Sequence, residues 1–248
     1  MVESRRCRGV CLLAAAGSLL PVNPVIAGEW QQEFSPYVWA AGMGGTVGIG
    51  DVTADVDQSF GSILDSLEMG FMAAYKASKG PWSFEADAIH MALGTTATGA
   101  RDRRRADIDM DQTTFEADAG YRVSEAVTLL GGLRYLRLDA AVDLTGPLAD
   151  GSAAGKQDWI DPVVGARLMV PLSSKWTMSL RGDVGGFGIG SEFSWQVLGS
   201  LRWEMSDSVG LVAAYRYVSI DYEDGRGAGR FEYDVDSAGP GLGLVVAF

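Results

Sequence analysis

Residues Phe193–Glu204 read FSWQVLGSLRWE, a run in which bulky apolar side chains alternate with polar ones. The odd positions carry aromatic or aliphatic side chains apart from one glycine, and the even positions are polar apart from Leu198. Successive side chains of a β-strand point to opposite faces, so this run predicts a strand with one apolar and one polar face. The same period of two recurs in 158–170 and in 176–184.

Two classes of β-protein show this alternation. In a soluble β-sandwich the polar face lies in water, where Lys and Glu are expected. Here the polar positions carry Arg together with Asp and Glu, plus Gly and Ser. The planar guanidinium of Arg binds carboxylates in a bidentate geometry, which suits a crowded barrel interior. Alternation over about ten residues, repeated between turns, is the sequence signature of a transmembrane β-barrel.

The composition excludes other classes of protein. The chain has 248 residues, 47% of them hydrophobic, which fits one ordinary domain or two small ones and excludes a disordered chain. Its 33 Gly and 10% aromatic residues favour strands joined by tight turns over helical bundles. A net charge of −12 argues against a nucleic-acid partner, because phosphate binding needs clustered cationic side chains.

We expect an all-β chain that folds as an antiparallel up-and-down transmembrane β-barrel, with ten strands and with eight or twelve as the alternatives. The predicted strands cover 31–41, 67–77, 81–93, 107–122, 126–140, 157–170, 175–187, 191–204, 208–221 and 231–248. Short connections alternate with longer ones at 42–66, 94–106, 141–156 and 222–230, although 188–190 is brief. Barrels have short periplasmic turns and longer outer loops, so both termini should be periplasmic.

Two stretches depart from plain alternation. Residues 59–67 have apolar side chains at helical spacing, which predicts a helix that caps or enters the barrel. In the last strand, Tyr233 and Val235 occupy odd-numbered positions, whereas Leu242 and Leu244 occupy even-numbered ones. In a regular strand these two parities, odd and even, face opposite sides. This reversal predicts a bulge near Gly239-Pro240 or a strand that leaves the membrane there.

The first 27 residues have the pattern of an export signal. Three arginines within residues 5–8 precede an apolar segment, and a small-residue cleavage site ends at Ala27. We therefore expect residues 1–27 to be removed and residues 28–248 to form the barrel. An uncleaved anchor is the alternative, but Pro21 and Pro24 cut the apolar run short of the ~20 residues that a spanning helix needs. Both cysteines lie within the signal, so the mature chain is predicted to have no disulfide.

Five segments spread through the mature chain carry a family resemblance. They are FSPYVW (34–39), SF (59–60) with ILD (63–65), WIDPVVGAR (159–167), RGDVGGF (181–187) and the terminal Phe248. In these segments the chain resembles small proteobacterial outer-membrane β-barrel proteins, the broad type that includes outer-membrane proteins A and W, and especially an uncharacterised family. The resemblance implies an outer-membrane location and a barrel fold, and it implies no settled activity.

A single histidine, His90, limits the enzymatic chemistry. Outer-membrane lipid deacylases keep His and Ser two residues apart, and surface proteases use Asp-x-His, whereas here Ala92 and Ala88 occupy those positions. Asp87 and His90 also have opposite parity and should face opposite sides of a strand. We expect a non-enzymatic barrel with no cofactor and an interfacial His90. An outer-membrane hydrolase is the alternative.

The acidic run Asp107-Ile108-Asp109-Met110-Asp111 superficially resembles a calcium loop. It lacks the Gly at the sixth position and the Glu at the twelfth that an EF-hand needs. We therefore expect no metal site, with loose binding of a divalent cation as the alternative.

The polar positions of the alternating pattern, which should face the barrel interior, carry charges of both signs. The predicted lumen charges are Glu85, Asp87, Glu116, Asp118, Arg134, Asp161, Arg167, Arg181, Asp183, Arg202, Glu204 and Arg216. The acidic side chains of the third and fourth predicted strands face the arginines of the fifth to ninth. A barrel of eight to ten strands is narrow, and buried charges must be paired. The sequence therefore predicts an ion-paired, nearly closed lumen in an envelope-structural protein, with a narrow polar channel as the alternative.

The second predicted outer loop contains a basic cluster, Arg101, Arg103, Arg104 and Arg105. A solvated loop accounts for it, but Arg also suits phosphate, so contact with lipopolysaccharide phosphates is the functional alternative. The expected partners are outer-membrane lipid and lipopolysaccharide, with small polar solutes if the lumen is open. A surface-binding module that acts through its extracellular loops is the remaining alternative function.

Overall fold

The computed structural model describes residues 28–50, 52–98, 105–145 and 151–248. The predicted export signal, residues 1–27, lies outside the described residues and stays a prediction. In chain order the elements are β1 (Gln31–Trp39), β2 (Gly42–Ile49), β3 (Val52–Gln58), α1 (Phe60–Ser66), β4 (Leu67–Lys79), β5 (Trp82–Thr98), β6 (Arg105–Arg122), β7 (Val127–Thr145), β8 (Gly151–Pro171), β9 (Trp176–Gly185), β10 (Phe193–Glu204), β11 (Val209–Asp224), a 3-10 turn (Gly227–Gly229) and β12 (Phe231–Ala247).

Ten of these strands close into one antiparallel barrel. Neighbours follow the order β1, β4 and then β5 to β12 in sequence, and β12 pairs back with β1. The prediction of an all-β, up-and-down barrel with ten strands is confirmed. The two remaining strands, β2 and β3, form a hairpin that pairs with β12 beyond the end of β1.

β2 continues the line of β1 along β12, after an interruption opposite Pro240. Both pair with β12 in a single register, which passes from Trp39–Gly241 in β1 to Gly42–Ala238 in β2. Proline has no N–H to give to the ladder, so the interruption falls where β12 lacks a donor.

β12 is a regular strand. Its pairing with β11 keeps one register over the whole of its length, so the predicted bulge near Gly239-Pro240 is wrong. Tyr233 and Val235 are both buried on the inner face, whereas Leu242 and Leu244 are exposed on the outer face. The parity reversal in the sequence therefore reflects a lumen that is apolar at the level of Tyr233 and Val235.

The two ends of the barrel differ in their connections. The turn end has the four short connections 80–81, 123–126, 172–175 and 205–208, and both ends of the described chain lie beside them. Aromatic pairs stand at this end, with ring centroids 4.8 Å apart for Trp82 and Tyr121 and 6.0 Å apart for Trp176 and Trp203. Aromatic girdles of this kind mark the membrane interface of barrels. The opposite end is named the loop end.

At the loop end the strands run further than predicted. β5 and β6 stay paired as far as Thr98–Arg105, and β7 and β8 as far as Leu144–Gly151. Much of the predicted loops 94–106 and 141–156 is therefore strand, and β11 extends to Asp224 within the predicted loop 222–230. The backbone ladder continues past the level at which the apolar alternation ends, because ladder hydrogen bonds need no apolar face.

The outer surface of the barrel wall is apolar. Val164, Leu180 and Val197 point outward and are 53%, 48% and 40% exposed. An apolar outer face around a closed sheet is typical of a transmembrane β-barrel. Among the described residues, no helix is long and apolar enough to cross a membrane.

Candidate functional site

A network of charged and polar side chains fills the barrel interior. We name it the central network and define it by Tyr37, Asp87, Glu116, Asp118, Arg134, Arg181, Asp183, Gln196 and Arg216. These side chains come from seven strands, β1, β5, β6, β7, β9, β10 and β11. The barrel therefore brings together residues that are far apart in the sequence.

Arg134 lies at the centre of this network. Its Nε donates to Oε2 of Glu116 over 2.6 Å, and its Nη2 donates to Oδ1 of Asp183 over 2.7 Å. Arg134 is 1% exposed and Glu116 2% exposed. Charges buried this deeply are tolerated only when they are paired and hydrogen-bonded, and here one guanidinium joins carboxylates from β6 and β9.

Arg181 binds the same two carboxylates and a third. Its Nε donates to Oδ2 of Asp183 over 2.9 Å, and its Nη2 lies 2.9 Å from Oδ2 of Asp118 and also contacts Glu116. Two guanidinium groups thus share Glu116 and Asp183. This sharing alternates positive and negative charge through the site, which offsets the cost of burying each charge.

Two glycines leave room for these carboxylates. A Cβ at Gly132 would collide with Oδ1 of Asp118, and a Cβ at Gly165 would collide with Cβ of Asp183. Both glycines are on strands next to the carboxylates that they accommodate. A side chain at either position would push a charged group away from Arg181.

The network continues across the lumen to strands that are not neighbours. Asp87 on β5 accepts from the Tyr37 hydroxyl over 2.8 Å and from Nη1 of Arg216 on β11 over 3.0 Å. Nε of Arg216 donates to Oε1 of Gln196 over 3.0 Å, and Nε2 of Gln196 donates to Oδ2 of Asp183 over 2.7 Å. Polar contacts therefore bridge opposite walls of the barrel.

Tyr37 and Gln196 are not among the predicted lumen charges, because both are uncharged. For Gln196, the signal in the sequence is its parity, since it lies two residues from the inward-facing Ser194.

A second layer of ion pairs lies nearer the turn end. Arg167 on β8 makes two contacts with the carboxylate of Glu85 on β5, and Nζ of Lys76 is 3.7 Å from Oε1 of the same group. Arg202 lies 2.8 Å from Oε1 of Glu33 and 2.6 Å from Oε1 of Glu204. A cavity of about 250 Å³ lies among these side chains and ends against the central network. The predicted lumen charges Glu85, Arg167, Arg202 and Glu204 line or border this space.

Asp161 differs from the other predicted lumen charges. It is fully buried, but the donors that reach it are serines: the backbone N–H of Ser191 at 2.6 Å, the Ser191 hydroxyl at 2.8 Å and the Ser194 hydroxyl at 3.1 Å. Among the described residues no arginine pairs with it. Asp161 faces inward, as predicted for a lumen charge, but three hydroxyl and amide donors occupy its oxygens, and these bonds link it to the connection between β9 and β10.

Above the central network, towards the loop end, the lumen is apolar. The buried cluster there comprises Met43, Ile63, Leu136, Leu138, Trp159, Val218, Ile220, Tyr222, Tyr233 and Val235. Trp159 and Tyr222 stack with ring centroids 3.9 Å apart. Ile63 reaches this cluster from α1, whose first turn is capped by the Ser59 hydroxyl. The predicted helix is thus present at Phe60–Ser66 and buries Ile63 in the cluster, while Leu64 is exposed on the outer surface.

His90 faces away from the central network. Its Nδ1 is 2.9 Å from the Thr113 hydroxyl, on the outward-facing parity, whereas Asp87 faces inward. This places the histidine and the nearest carboxylate in its strand on opposite sides of the sheet, as the parity predicts.

Two predicted sites remain, the acidic run at 107–111 and the basic cluster of Arg101, Arg103, Arg104 and Arg105. Asp111 pairs across the sheet with Asp139, which Arg137 binds over 2.6 Å. No group of three or more potential metal ligands occurs in the described part of the chain. Arg101, Arg103 and Arg104 lie outside the described residues, as does the side chain of Arg105.

Comparison with known proteins supports the fold. No family model and no curated protein sequence matches the chain. Among solved structures, the outer membrane protease OmpT of Escherichia coli is 8% identical with a TM-score of 0.50, over 89% of this chain and 97% of its own. The translocator domain of autotransporter NalP from Neisseria meningitidis is 14% identical, TM-score 0.39, covering 90% of each chain. Ail, the attachment invasion locus protein of Yersinia pestis, is 14% identical, TM-score 0.39, covering 88% and 98%. The likeness to OmpT shows that the chain has the fold of an outer-membrane β-barrel protein.

Proposed function

We propose that this protein is a non-enzymatic outer-membrane β-barrel with a sealed lumen, which serves the structure of the envelope and does not conduct solutes at rest. In this proposal residues 1–27 are removed on export, and the turn end faces the periplasm. The observation that supports it best is the central network, in which Arg134, Glu116 and Asp183 join neighbouring and distant strands inside the barrel.

The burial of the network favours a sealed lumen over a narrow polar channel. In an open pore the lining charges face water, as in the charged rings that give channels their selectivity. Here Arg134 and Glu116 are 1% and 2% exposed, and their hydrogen bonds go to one another and to other side chains of the central network. Towards the loop end the path continues into a packed, mainly apolar cluster that includes Ile63 of α1 and has few groups that could replace the hydration water of an ion.

The hydrolase alternative lacks a supporting arrangement around His90. A general base needs a nucleophile within hydrogen-bond reach and a group that orients the imidazole. The Thr113 hydroxyl lies 2.9 Å from Nδ1 of His90, but in the described part of the chain no acidic side chain bonds to the imidazole and orients it. Asp87 is engaged by Tyr37 and Arg216 inside the barrel.

Two partners complete the proposal. The apolar outer wall is suited to contact with the acyl chains of outer-membrane lipid. Contact of Arg101, Arg103, Arg104 and Arg105 with lipopolysaccharide phosphates remains a proposal that rests on the sequence, because guanidinium groups bind phosphate in a bidentate geometry.

Planar-bilayer recording of the purified barrel tests the proposal. We expect no stepwise conductance from the parent protein at moderate voltage. Steady conductance of the parent would overturn the sealed lumen and favour the narrow polar channel.

A further inference from the structure

The barrel wall has a seam between β1 and β4. Their backbone pairing runs from Gln31–Ser78 to Pro36–Ala73. Past that point the first barrel strand remains paired with β12, through β1 and then β2, while β4 remains paired with β5 as far as Leu67. Within the described ranges 28–50 and 52–98, no backbone pair joins the two sides of the seam beyond Pro36–Ala73.

Side chains take the place of the missing ladder. The backbone N–H of Trp39 donates to the sulfur of Met72 over 3.2 Å, where a neighbouring carbonyl would stand in a complete sheet. Further out, α1 connects β3 to β4, and its residues Phe60, Ile63 and Leu64 lie around the same cavity as Met72. An open sheet edge is expensive in hydrocarbon, so a gap in the wall of a barrel needs a specific reason.

An apolar cavity of about 100 Å³ lies behind this seam. Val38 and Leu64 line its outer side and are 61% and 53% exposed on the surface of the barrel. Its inner side is lined by Ile63 and Ile89, which are 7% and 4% exposed. The cavity therefore extends from the outer face of the wall to the interior of the lumen.

The floor of the cavity contains a hydrogen-bond donor without a partner. Arg134 uses Nε and Nη2 for Glu116 and Asp183, but its Nη1 has no partner among the described residues. Arg134 is 1% exposed and lines this cavity. The side-chain oxygen Oε1 of Gln112, which lines the same cavity, is also buried without a partner in the described structure. Buried polar groups are nearly always hydrogen-bonded, so these two atoms point to a ligand that bonds to them.

We propose that this cavity binds a small uncharged molecule with an apolar body and one hydroxyl group, which enters from the bilayer through the seam. A hydroxyl group both accepts and donates, so it can accept from Arg134 Nη1 and it can also donate to an acceptor such as Gln112 Oε1. A charged ligand is disfavoured because Glu116 and Asp183 already neutralise the guanidinium. The cavity, at about 100 Å³, is smaller than the apolar cavity of ~150 Å³ that is known to hold benzene, so the ligand is no larger than a single small ring. The inference rests on the proposed sealed lumen, since an open lumen would fill the cavity with water.

Phenol-sized probes test this site. The protein is placed in lipid nanodiscs, and binding of 4-fluorophenol and fluorobenzene is followed by ¹⁹F NMR. We expect saturable binding of 4-fluorophenol to the parent, about tenfold tighter than binding of fluorobenzene, because only the phenol can bond to the polar atoms of the cavity. Equal affinity for both probes, or no saturable binding of either, would overturn the proposal.

A substitution at Gly70 tests whether the ligand enters through the seam. It lines the cavity, and a Cβ there would lie 3.4 Å from a methyl group of Leu67, so Gly70→Leu narrows the opening. Gly199→Leu is the matched control, because nothing lies within 4 Å of a Cβ at that position on β10. We expect Gly70→Leu to weaken 4-fluorophenol binding at least tenfold and Gly199→Leu to leave it unchanged. Equal binding by both variants would exclude entry through the seam.

A third variant tests a polar atom of the cavity without altering the central network. Gln112→Leu removes the unpartnered acceptor, which the central network does not use. We expect this variant to keep its fluorobenzene affinity and to lose part of its preference for 4-fluorophenol. An unchanged preference would overturn the assigned role of Gln112. Silent planar-bilayer recordings combined with no probe binding would leave the sealed lumen standing and reject this site alone.

Discussion

Nε of Arg134 lies 2.6 Å from Oε2 of Glu116, and these two residues on adjacent strands are 1% and 2% exposed. Both side chains are almost fully buried, so each charge depends on the other and on Asp183 for its stability. The loss of one member would therefore leave buried charges without partners. This dependence governs the response of the barrel to mutation.

Arg181→Gln should destabilise the barrel. The change removes a guanidinium that serves three carboxylates, Glu116, Asp118 and Asp183, and leaves them in a low-dielectric space. Breaking a buried ion pair by removing one partner costs about 3–5 kcal/mol. Urea-induced unfolding in lipid vesicles measures the loss, and planar-bilayer recording should show more frequent conductance than in the parent as water enters.

Arg137→Gln is the control for that variant. Arg137 also pairs with a carboxylate, that of Asp139, but its side chain is 42% exposed at the surface. Exposed ion pairs contribute little to stability. If Arg137→Gln lowers stability as much as Arg181→Gln does, burial is not what makes the central network important.

Substitutions on the two faces of a strand should have unequal effects. Arginine at Val164, Leu180 or Val197 would place a charge against lipid and should cost roughly 2–4 kcal/mol near the bilayer midplane. Arginine at Ser179 or Ser200 should cost less, because both serines line the polar cavity at the turn end. Unfolding free energies in vesicles compare the two sets, and equal losses would mean that the assignment of inner and outer faces is wrong.

The sequence predicted the barrel because strand parity is a local property. Ten strands and their two faces follow from alternation such as that of Phe193–Glu204, and the structure has the same architecture. The ends of β7 and β8 could not be predicted in this way, because their ladder continues beyond the apolar pattern. Likewise, Tyr233 and Val235 suggested a bulge, since an apolar inner face was not expected in a polar lumen.

The partners of the lumen charges were beyond the sequence for a different reason. Parity places Arg134 and Asp161 on the same face, and the register puts them directly opposite each other. Arg134 nevertheless bonds to Glu116 and Asp183, while serines saturate Asp161. Which contacts form depends on side-chain reach across the closed barrel and on the space left by Gly165, and neither follows from residue spacing.

Leu136→Ala should destabilise the apolar half of the lumen. Leu136 is fully buried in the cluster at the loop end, and removing a buried leucine side chain typically costs about 2–5 kcal/mol because a cavity remains. Leu133→Ala on the same strand is the control, since Leu133 is 55% exposed and lipid chains can fill the space. Thermal unfolding followed by circular dichroism should separate the two variants, whereas similar losses would argue against a packed interior at Leu136.

The placement of the protein can be tested directly. We expect it to fractionate with the outer membrane, to begin at Gly28 and to migrate differently on gels before and after heating, because a closed barrel has no free edge from which to unfold. N-terminal sequencing of the outer-membrane fraction checks the cleavage site. Recovery in the soluble periplasm would contradict the predicted location.

Asp161→Ala should loosen the connection between β9 and β10. Asp161 accepts hydrogen bonds from the backbone and hydroxyl of Ser191, and this connection carries Phe187 and Ile189 at 52% and 77% exposure. Removing the carboxylate leaves the buried Ser191 N–H without its acceptor, which costs about 1–3 kcal/mol locally. Chymotrypsin should therefore cut at Phe187 faster in the variant than in the parent, both in nanodiscs.

Two further variants sharpen the interpretation of that experiment. Asp161→Asn keeps one acceptor oxygen for the Ser191 N–H and should be cut at an intermediate rate. Asp158→Ala changes an exposed carboxylate three residues away on the same strand and should be cut like the parent. If Asp158→Ala and Asp161→Ala accelerate cleavage equally, a general loosening of β8 is responsible, and Asp161 has no special role in holding the connection.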